Sequence, residues 1–483
     1  MIKELHEKLK NKEITSSELT GKYLDRIKKN NERLNVFLDV YEEEAMQKAQ
    51  AVDKKISKGG NLDMLEGIPC ALKDNLCVMG KRTTAASKIL ENYIAPYSAT
   101  VVDKILEKGS IIVGKTNLDE FAFGASTENS AFGPTKNPHD EERVPGGSSG
   151  GSGAAVADEM AVWALGSDTG GSIRLPANFC GIVGMKPTYG RVSRYGLMAM
   201  ASSYDQIGPM TQTVEDAAIV LDAIVGQDKK DNTTIDRGHS FQTELNSQAQ
   251  GKKIGIIKQF MDGGLDKRIN DDIKDQLEKL KNSGAEIVEL DFPNIKHSLA
   301  VYYLMVPSEI SSNLARFDGI KYGLSEANLP NSRSKNILDV YNLSRELGFG
   351  SEVKRRIILG TYALSAGYFD AYYKKAQKVR EVIKKDFLNI FKEVDAVLAP
   401  VSPSLPFKMG EKTDDPLSMY LVDIFTVSAN VAMLPAIAVP TIKIEEDGRR
   451  LPLGVQLIGK WWDEQGILNI AKKIEEKNNF LKG

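Results

Sequence analysis

The amino-acid sequence predicts an α/β protein, and three observations carry that prediction. Short apolar runs, such as 65–72, 254–257 and 436–439, alternate with stretches whose apolar residues recur at helical spacing, and they do so from end to end. Residues 252–290 place a strand, a helix and a second strand in series, an arrangement that favours parallel pairing. No break in composition divides the 483 residues, although length alone would allow about three domains.

Taken in order, residues 1–58 carry apolar positions among many Lys and Glu, the pattern of helices lying on a surface. Thr15-Ser16-Ser17-Glu18 resembles a capping box that starts one of them. At 65–72 (LEGIPCAL) the texture turns to a strand, which Pro69 sets to begin just after itself and which delivers Lys73-Asp74-Asn75 at its end. A helix over 100–108 and a strand over 110–113 follow. The small and apolar stretch 154–165 (AAVADEMAVWAL) reads as one helix against a core, and the glycine- and turn-rich stretch 176–208 suits the walls of a pocket. A helix runs over 213–225 and stops at Gly226, before a polar surface connection over 227–251. In the unit that follows, 254–257 and 287–290 are strands, and Ile269, Ile273, Leu277 and Leu280 form a helix stripe ended by Gly284. Helices occupy 300–347, with a polar break over 322–334, and 360–391. A strand over 395–399 runs into the turn-rich 400–404. The strands 436–439 and 454–458 are joined through Glu446-Asp447-Gly448, and Ile467, Ile470 and Ile474 mark a closing helix.

Composition excludes several classes. The first residues lack the uninterrupted apolar segment of a signal peptide, and no stretch approaches the roughly 18 apolar residues of a membrane span. Cys70, Cys77 and Cys180 are too few and too apolar in setting for a disulfide framework or a zinc cluster, which predicts free thiols and a cytoplasmic address. A net charge of −2 without a basic cluster equips the chain poorly to hold nucleic acid alone.

The chemistry centres on two successive glycine–serine stretches, 146–153 (GGSSGGSG) and 166–174 (GSDTGGSIR). A flexible linker would run into polar sequence, whereas these run into Ala, Val, Trp and Leu. Ser172 follows Asp168-Thr169-Gly170-Gly171, and the N–H groups of such a turn can converge on one point as an oxyanion hole. Serine needs a base, and a desolvated lysine whose pKa falls toward neutrality can serve, with a second serine relaying the proton. Spacing alone does not pair Lys73 with these serines. Two motif matches are rejected. The stretch 109–116 (GSIIVGKT) fits a phosphate loop letter for letter, but a helix precedes it and Ile-Ile-Val would be a buried strand. Gly146-x-Ser148-x-Gly150 fits a hydrolase nucleophile elbow, but loop precedes it, and the downstream histidines, His239 and His297, lie in polar or amphipathic settings.

The stretches 146–155 and 166–177 together resemble the signature of the amidase signature family, and Gly67-Ile68-Pro69-x-x-x-Lys73-Asp74 is similar to that family's lysine segment. The resemblance implies a triad in which Ser172 is the nucleophile, Lys73 the ultimate base, and Ser148, after a cis Gly147–Ser148 peptide, the proton relay. It implies an oxyanion loop of Thr169, Gly170, Gly171 and Ser172, and no metal. The implied fold is a single α/β/α sandwich domain over 1–483 around a large mixed β-sheet, with helices of 1–60 packed on it and a catalytic core over 61–210. That overrides the length-based count of three.

Further segments, 119–121, 186–197, 313–319, 352–357, 415–421 and 434–457, are similar to the branch of the family that serves tRNA-dependent glutamine amidotransferases. This narrower resemblance, over about 60–470, implies a glutaminase: Ser172 attacks the glutamine side-chain amide, ammonia leaves, and water releases glutamate. It implies a heterotrimer. A B subunit converts Glu-tRNA(Gln) to Gln-tRNA(Gln) with ATP and Mg, a small C subunit helps hold the pair, and this chain carries no cofactor. It also implies Arg356 for the α-carboxylate of glutamine, Asp423 for the α-ammonium and Tyr303 as an added contact, with Tyr302 and Arg355 open as alternatives in register. Small departures occur at Leu175 and at 430–433, away from the triad. A free-standing amidase acting on another small amide and a non-catalytic assembly scaffold remain as other readings, the second disfavoured by the presence of Lys73, Ser148 and Ser172.

Overall fold

Eleven strands form one mixed sheet in the computed structural model, which describes residues 1–238, 240–261 and 264–480. They are β1 (Phe37–Val40), β2 (Pro69–Lys73), β3 (Ile111–Thr116), β4 (Trp163–Asp168), β5 (Val183–Lys186), β6 (Gln206–Thr211), β7 (Lys253–Ile257), β8 (Glu286–Leu290), β9 (Ala396–Pro400), β10 (Ala436–Glu446) and β11 (Arg449–Gly459). Across the sheet the order is β1-β3-β2-β4-β6-β5-β10-β11-β9-β7-β8. β3, β2 and β4 run parallel, as do β9, β7 and β8, while antiparallel pairs make the remaining joins.

Helices cover both faces, so the strands are apolar on both sides rather than alternating. On one face Cys70, Leu72, Trp163, Leu165, Ile437 and Leu457 share a core with Leu19, Ile105, Leu221 and Ile470 from helices. On the other, Ala71, Ala164 and Ala438 meet Leu24, Ile27 and Ala155, and farther along Val397 and Ala399 belong to a core with Val306, Ile310 and Phe387. This is the expected α/β/α sandwich. The predicted β-α-β unit is present as β7, the helix Lys267–Lys281 and β8. The capping box is also formed: Thr15 Oγ1 accepts from the Glu18 N–H, and Glu18 accepts from the Thr15 N–H.

Several elements depart from the sequence reading. The single helix expected over 154–165 is two elements. A helix, Gly150–Ala157, ends where the Met160 and Ala161 N–H groups both return to the Ala155 carbonyl, and β4 then begins at Trp163. The continuous apolar run 160–165 fits a buried helix or a buried strand equally, and pairing with β2 and β6 on either side decides it. The pocket-wall stretch 176–208 contains most of the helix Arg174–Cys180, all of β5 and the start of β6, every residue of them buried. The helical reading of 1–58 omitted β1. β2 starts at Pro69 itself, because a first strand position requires no N–H and the Pro69 carbonyl accepts from Val162. The last helical stretch is two helices, Ser351–Leu364 and Lys375–Glu393, and the closing hairpin is longer than predicted. Cys70, Cys77 and Cys180 are buried free thiols. Among the described residues no helix is long and apolar enough to cross a membrane. His239 lies outside the described residues.

Candidate active site

β2 and β4 are parallel neighbours, with Leu72 opposite Leu165, so both deliver their C-terminal ends to the same edge of the sheet. Lys73 ends β2, and Ser167 and Asp168 end β4. The loop before the helix Gly150–Ala157 brings Ser148 and Ser149 to the same place. Lys73 Nζ donates to Ser148 Oγ at 2.8 Å, Ser149 Oγ at 2.8 Å and Ser167 Oγ at 3.0 Å. Ser149 Oγ also donates to the Ser167 carbonyl, and Asn75 Nδ2 donates to Ser167 Oγ, so those two hydroxyls have other partners. Ser148 Oγ has Lys73 alone among the described residues. The Gly147–Ser148 peptide is cis.

Lys73 is fully buried, and burial brings its ammonium down to about 7, although the carboxylates of Asp119, Asp168 and Asp205 hold it up in part. A lysine in that range exchanges its proton near neutral pH. The same site keeps Asp168 ionised: burial pushes its carboxyl up, but Arg174 outweighs that and holds it at about 2.

The loop from Thr169 to Ser172 is held by its carbonyls. The Gly170 carbonyl accepts from Thr426 Oγ1 at 2.6 Å, the Gly171 carbonyl from the Leu175 N–H at 2.8 Å, and the Ser172 carbonyl from the Ser149 N–H at 3.1 Å. Across a planar trans peptide the next N–H points the opposite way, so the N–H groups of Gly171 and Ser172 turn away from these anchors. Thr169 is fixed through its hydroxyl, which donates to Asp205 at 2.7 Å. Ser172 keeps 8 % exposure, and its hydroxyl has no hydrogen-bond partner among the described residues. The structure does not hydrogen-bond the Ser148 and Ser172 hydroxyls to each other.

Beside the loop lies a cavity of about 260 Å³ whose lining includes Tyr303, Arg356 and Asp423, together with Ser126, Glu128 and Met419. Arg356 is 3 % exposed, donates from Nε to Glu352 at 2.7 Å, and lies 4.8 and 4.5 Å from the Tyr303 and Tyr420 ring centroids. Its Nη1 is buried without a partner. An unpaired donor on a buried guanidinium is costly, and a ligand carboxylate would satisfy it. Asp423 is 9 % exposed, and burial raises its carboxyl to about 8 despite the nearby Arg356 charge. A bound ammonium would favour the ionised form.

The members of the two pairs that the resemblance left open in register lie in different surroundings. Tyr303 lines the cavity, whereas the buried Tyr302 packs on the loop, where a Cβ on Gly170 would stand 2.6 Å from its hydroxyl. Arg356 is buried; Arg355, also in the lining, is far more exposed and pairs with Glu352. Neither Ser148 nor Ser172 lines the cavity. Its wall reaches them through Ser126, which a Cβ on Gly147 would meet, and through Thr426, which follows Asp423 closely and holds Gly170.

Sequence reasoning missed Ser149, Ser167 and Asn75 around the lysine, and Asp119, Asp205 and Thr426 behind the loops. Ser149 and Ser167 stand inside the singled-out stretches, but nothing in spacing distinguished them. The phosphate-loop match is a buried strand, with Lys115 Nζ 2.8 Å from Asp74.

Comparison with known proteins gives consistent matches. The Amidase family model matches residues 18–468. The A subunit of glutamyl-tRNA(Gln) amidotransferase from Thermoanaerobacter pseudethanolicus is 51% identical over 481 residues, covering 99% of this chain and 96% of that protein. The same subunit from Carboxydothermus hydrogenoformans is 52% identical over 481 residues, covering 99% and 97%. Among solved structures, the A subunit of glutamyl-tRNA(Gln) amidotransferase from Thermotoga maritima aligns with a TM-score of 0.79 at 43% identity, covering 96% of this chain and 92% of that one. A peptide amidase of Stenotrophomonas maltophilia aligns at 0.81 with 28% identity, covering 99% and 97%.

Proposed function

Because this chain belongs to the amidase family, we propose that it hydrolyses glutamine through an acyl-enzyme on Ser172, as the ammonia-producing subunit of a tRNA-dependent amidotransferase. One observation carries the reading: a fully buried lysine, brought to about 7, stands 2.8 Å from a serine hydroxyl that has no other partner among the described residues. In its neutral form Lys73 takes the Ser148 proton while Ser148 takes that of Ser172, and Ser172 Oγ adds to the amide carbon. The developing oxyanion is met by N–H groups of the loop from Thr169 to Ser172. The proton returns through Ser148 to the departing nitrogen, ammonia leaves, and water, activated by the same relay, releases glutamate. Arg356 takes the α-carboxylate, Asp423 the α-ammonium, and Tyr303 walls the pocket.

The ammonia goes to a B subunit, which amidates Glu-tRNA(Gln) with ATP and Mg, and a C subunit completes a cytoplasmic heterotrimer. The family resemblance assigns the ATP step to the partner, and the phosphate-loop lookalike in this chain is a buried strand. The test uses the assembled enzyme. Ser172→Ala should abolish glutamine-dependent transamidation and leave ammonia-dependent transamidation intact; undiminished glutaminase activity in that variant removes Ser172 from the mechanism.

A further inference from the structure

The hydroxyl of Thr426 links two parts of the site that are far apart in sequence. Its Oγ1 lies 2.6 Å from the Gly170 carbonyl oxygen and 3.1 Å from the Asp423 carbonyl oxygen, so one proton is shared between the loop preceding Ser172 and the segment carrying Asp423. Thr426 is fully buried and cannot swing away. Its N–H donates to the Asp423 carbonyl at 3.0 Å, and its own carbonyl accepts from Arg174 Nη1 at 3.1 Å. Gly171 makes room for it: a Cβ there would stand 2.3 Å from Thr426 Oγ1, and the Gly171 φ of +147° is one that side chains disfavour.

We infer that Thr426 is a positioning residue for this loop. Its hydroxyl locks the Gly170–Gly171 peptide with the Gly171 N–H turned toward the reacting carbonyl, and it ties that orientation to the segment that receives the glutamine ammonium. A peptide flanked by two glycines rotates at little conformational cost. Rotated, it would present a carbonyl oxygen where charge develops, replacing an attractive dipole by a repulsive one. The inference rests on the reading of Ser172 as nucleophile.

Thr426→Val preserves shape and removes the donor, and Thr426→Ser restores the donor. In the assembled enzyme the Val variant should lower glutaminase kcat by about 10- to 100-fold, part of the ~10²- to 10³-fold that complete loss of an oxyanion donor costs. Glutamine KM should stay within about threefold, because Arg356, Asp423 and Tyr303 are untouched. The γ-aldehyde analogue of glutamine, which adds to the serine oxygen and forms the tetrahedral centre, should lose affinity in parallel with kcat, while glutamate binding holds. The Ser variant should recover most of both losses. A Val variant with wild-type kcat and aldehyde affinity overturns the inference, and so does one in which glutamate affinity falls as far as aldehyde affinity, since that marks general loosening. Ser172→Ala tests the nucleophile separately: undiminished aldehyde inhibition there would overturn the reading of Ser172, independently of the Val result.

Discussion

Replacing Lys73 by methionine should make the protein more stable while abolishing glutaminase activity. The side chain is fully buried, and burial lowers its ammonium from 10.5 to about 7. At 1.36 kcal/mol per pH unit, that drop corresponds to roughly 5 kcal/mol of folding free energy lost at pH 7 and below. Methionine fills a similar channel without charge. Ser149 and Ser167 keep their other hydrogen bonds, so Ser148 is the hydroxyl left unpaired, at about 1–3 kcal/mol. The variant should therefore be more stable than wild type by about 2–4 kcal/mol at pH 7. Because the folded pKa lies below the unfolded one, the unfolded chain binds the extra proton between pH 7 and 10.5, so wild-type stability rises with pH across that window. By about pH 9.5 only roughly 1 kcal/mol of the penalty remains, and the advantage of methionine should have vanished. Urea unfolding of both proteins at the two pH values measures this. A methionine variant less stable at pH 7, or a difference that ignores pH, would refute the claim that a strained ammonium occupies this site.

Two further outcomes follow from the same charges. Arg356→Ala and Asp423→Asn should each raise glutamine KM by about 10- to 100-fold, as expected for losing a charge-assisted hydrogen bond of ~1.5–3 kcal/mol, with ammonia-dependent activity of the assembled enzyme unchanged. Unchanged KM in both would sink the pocket assignment. In the proposed mechanism Lys73, at about 7, and Asp423, raised to about 8, both have to be deprotonated before glutamine reacts. Glutamine kcat/KM should thus fall below pH 7 with the steepness of two protons, and Asp423→Asn should leave a one-proton limb set by Lys73; a limb of unchanged steepness in that variant counts against Asp423 as the ammonium partner.

What the sequence made legible, and what it hid, follows from the range over which each interaction acts. The capping box at Thr15 and the helix stripe from Ile269 to Leu280 are local, and both were readable. Trp163 to Leu165 was not, because the continuous apolar run 160–165 has no alternation to separate strand from buried helix, and it is the pairing of β4 with β2 and β6 that makes them a strand. That missed strand is what organises the site. Lys73 and Ser148 are 75 positions apart: Lys73 ends β2, and the loop before the helix Gly150–Ala157, tied to the end of the neighbouring β4 through Ser149 and Ser167, brings Ser148 to it, which no spacing encodes. Recognising a family signature supplied the pair without supplying the cause.

Tyr302 and Tyr303 show the complementary limit. Both are aromatic and adjacent on the helix Ser298–Asn313, about 100° apart around its axis. One turns to the loop at Gly170 and the other to the cavity, and only the packing of that helix decides which. Thr426 was invisible for a deeper reason. It acts on the backbone carbonyl of a residue 256 positions away, and a carbonyl is the one group every residue shares. The side chains to which the proposed mechanism gives the chemistry left a signature in the sequence, whereas the residue inferred to position the backbone did not, because any buried hydroxyl at the right point in space would do the same work. Residues of that second kind therefore have to be read from the orientation of peptide groups around a reactive serine, and Gly170–Gly171 is where this fold makes such an orientation depend on a single hydroxyl.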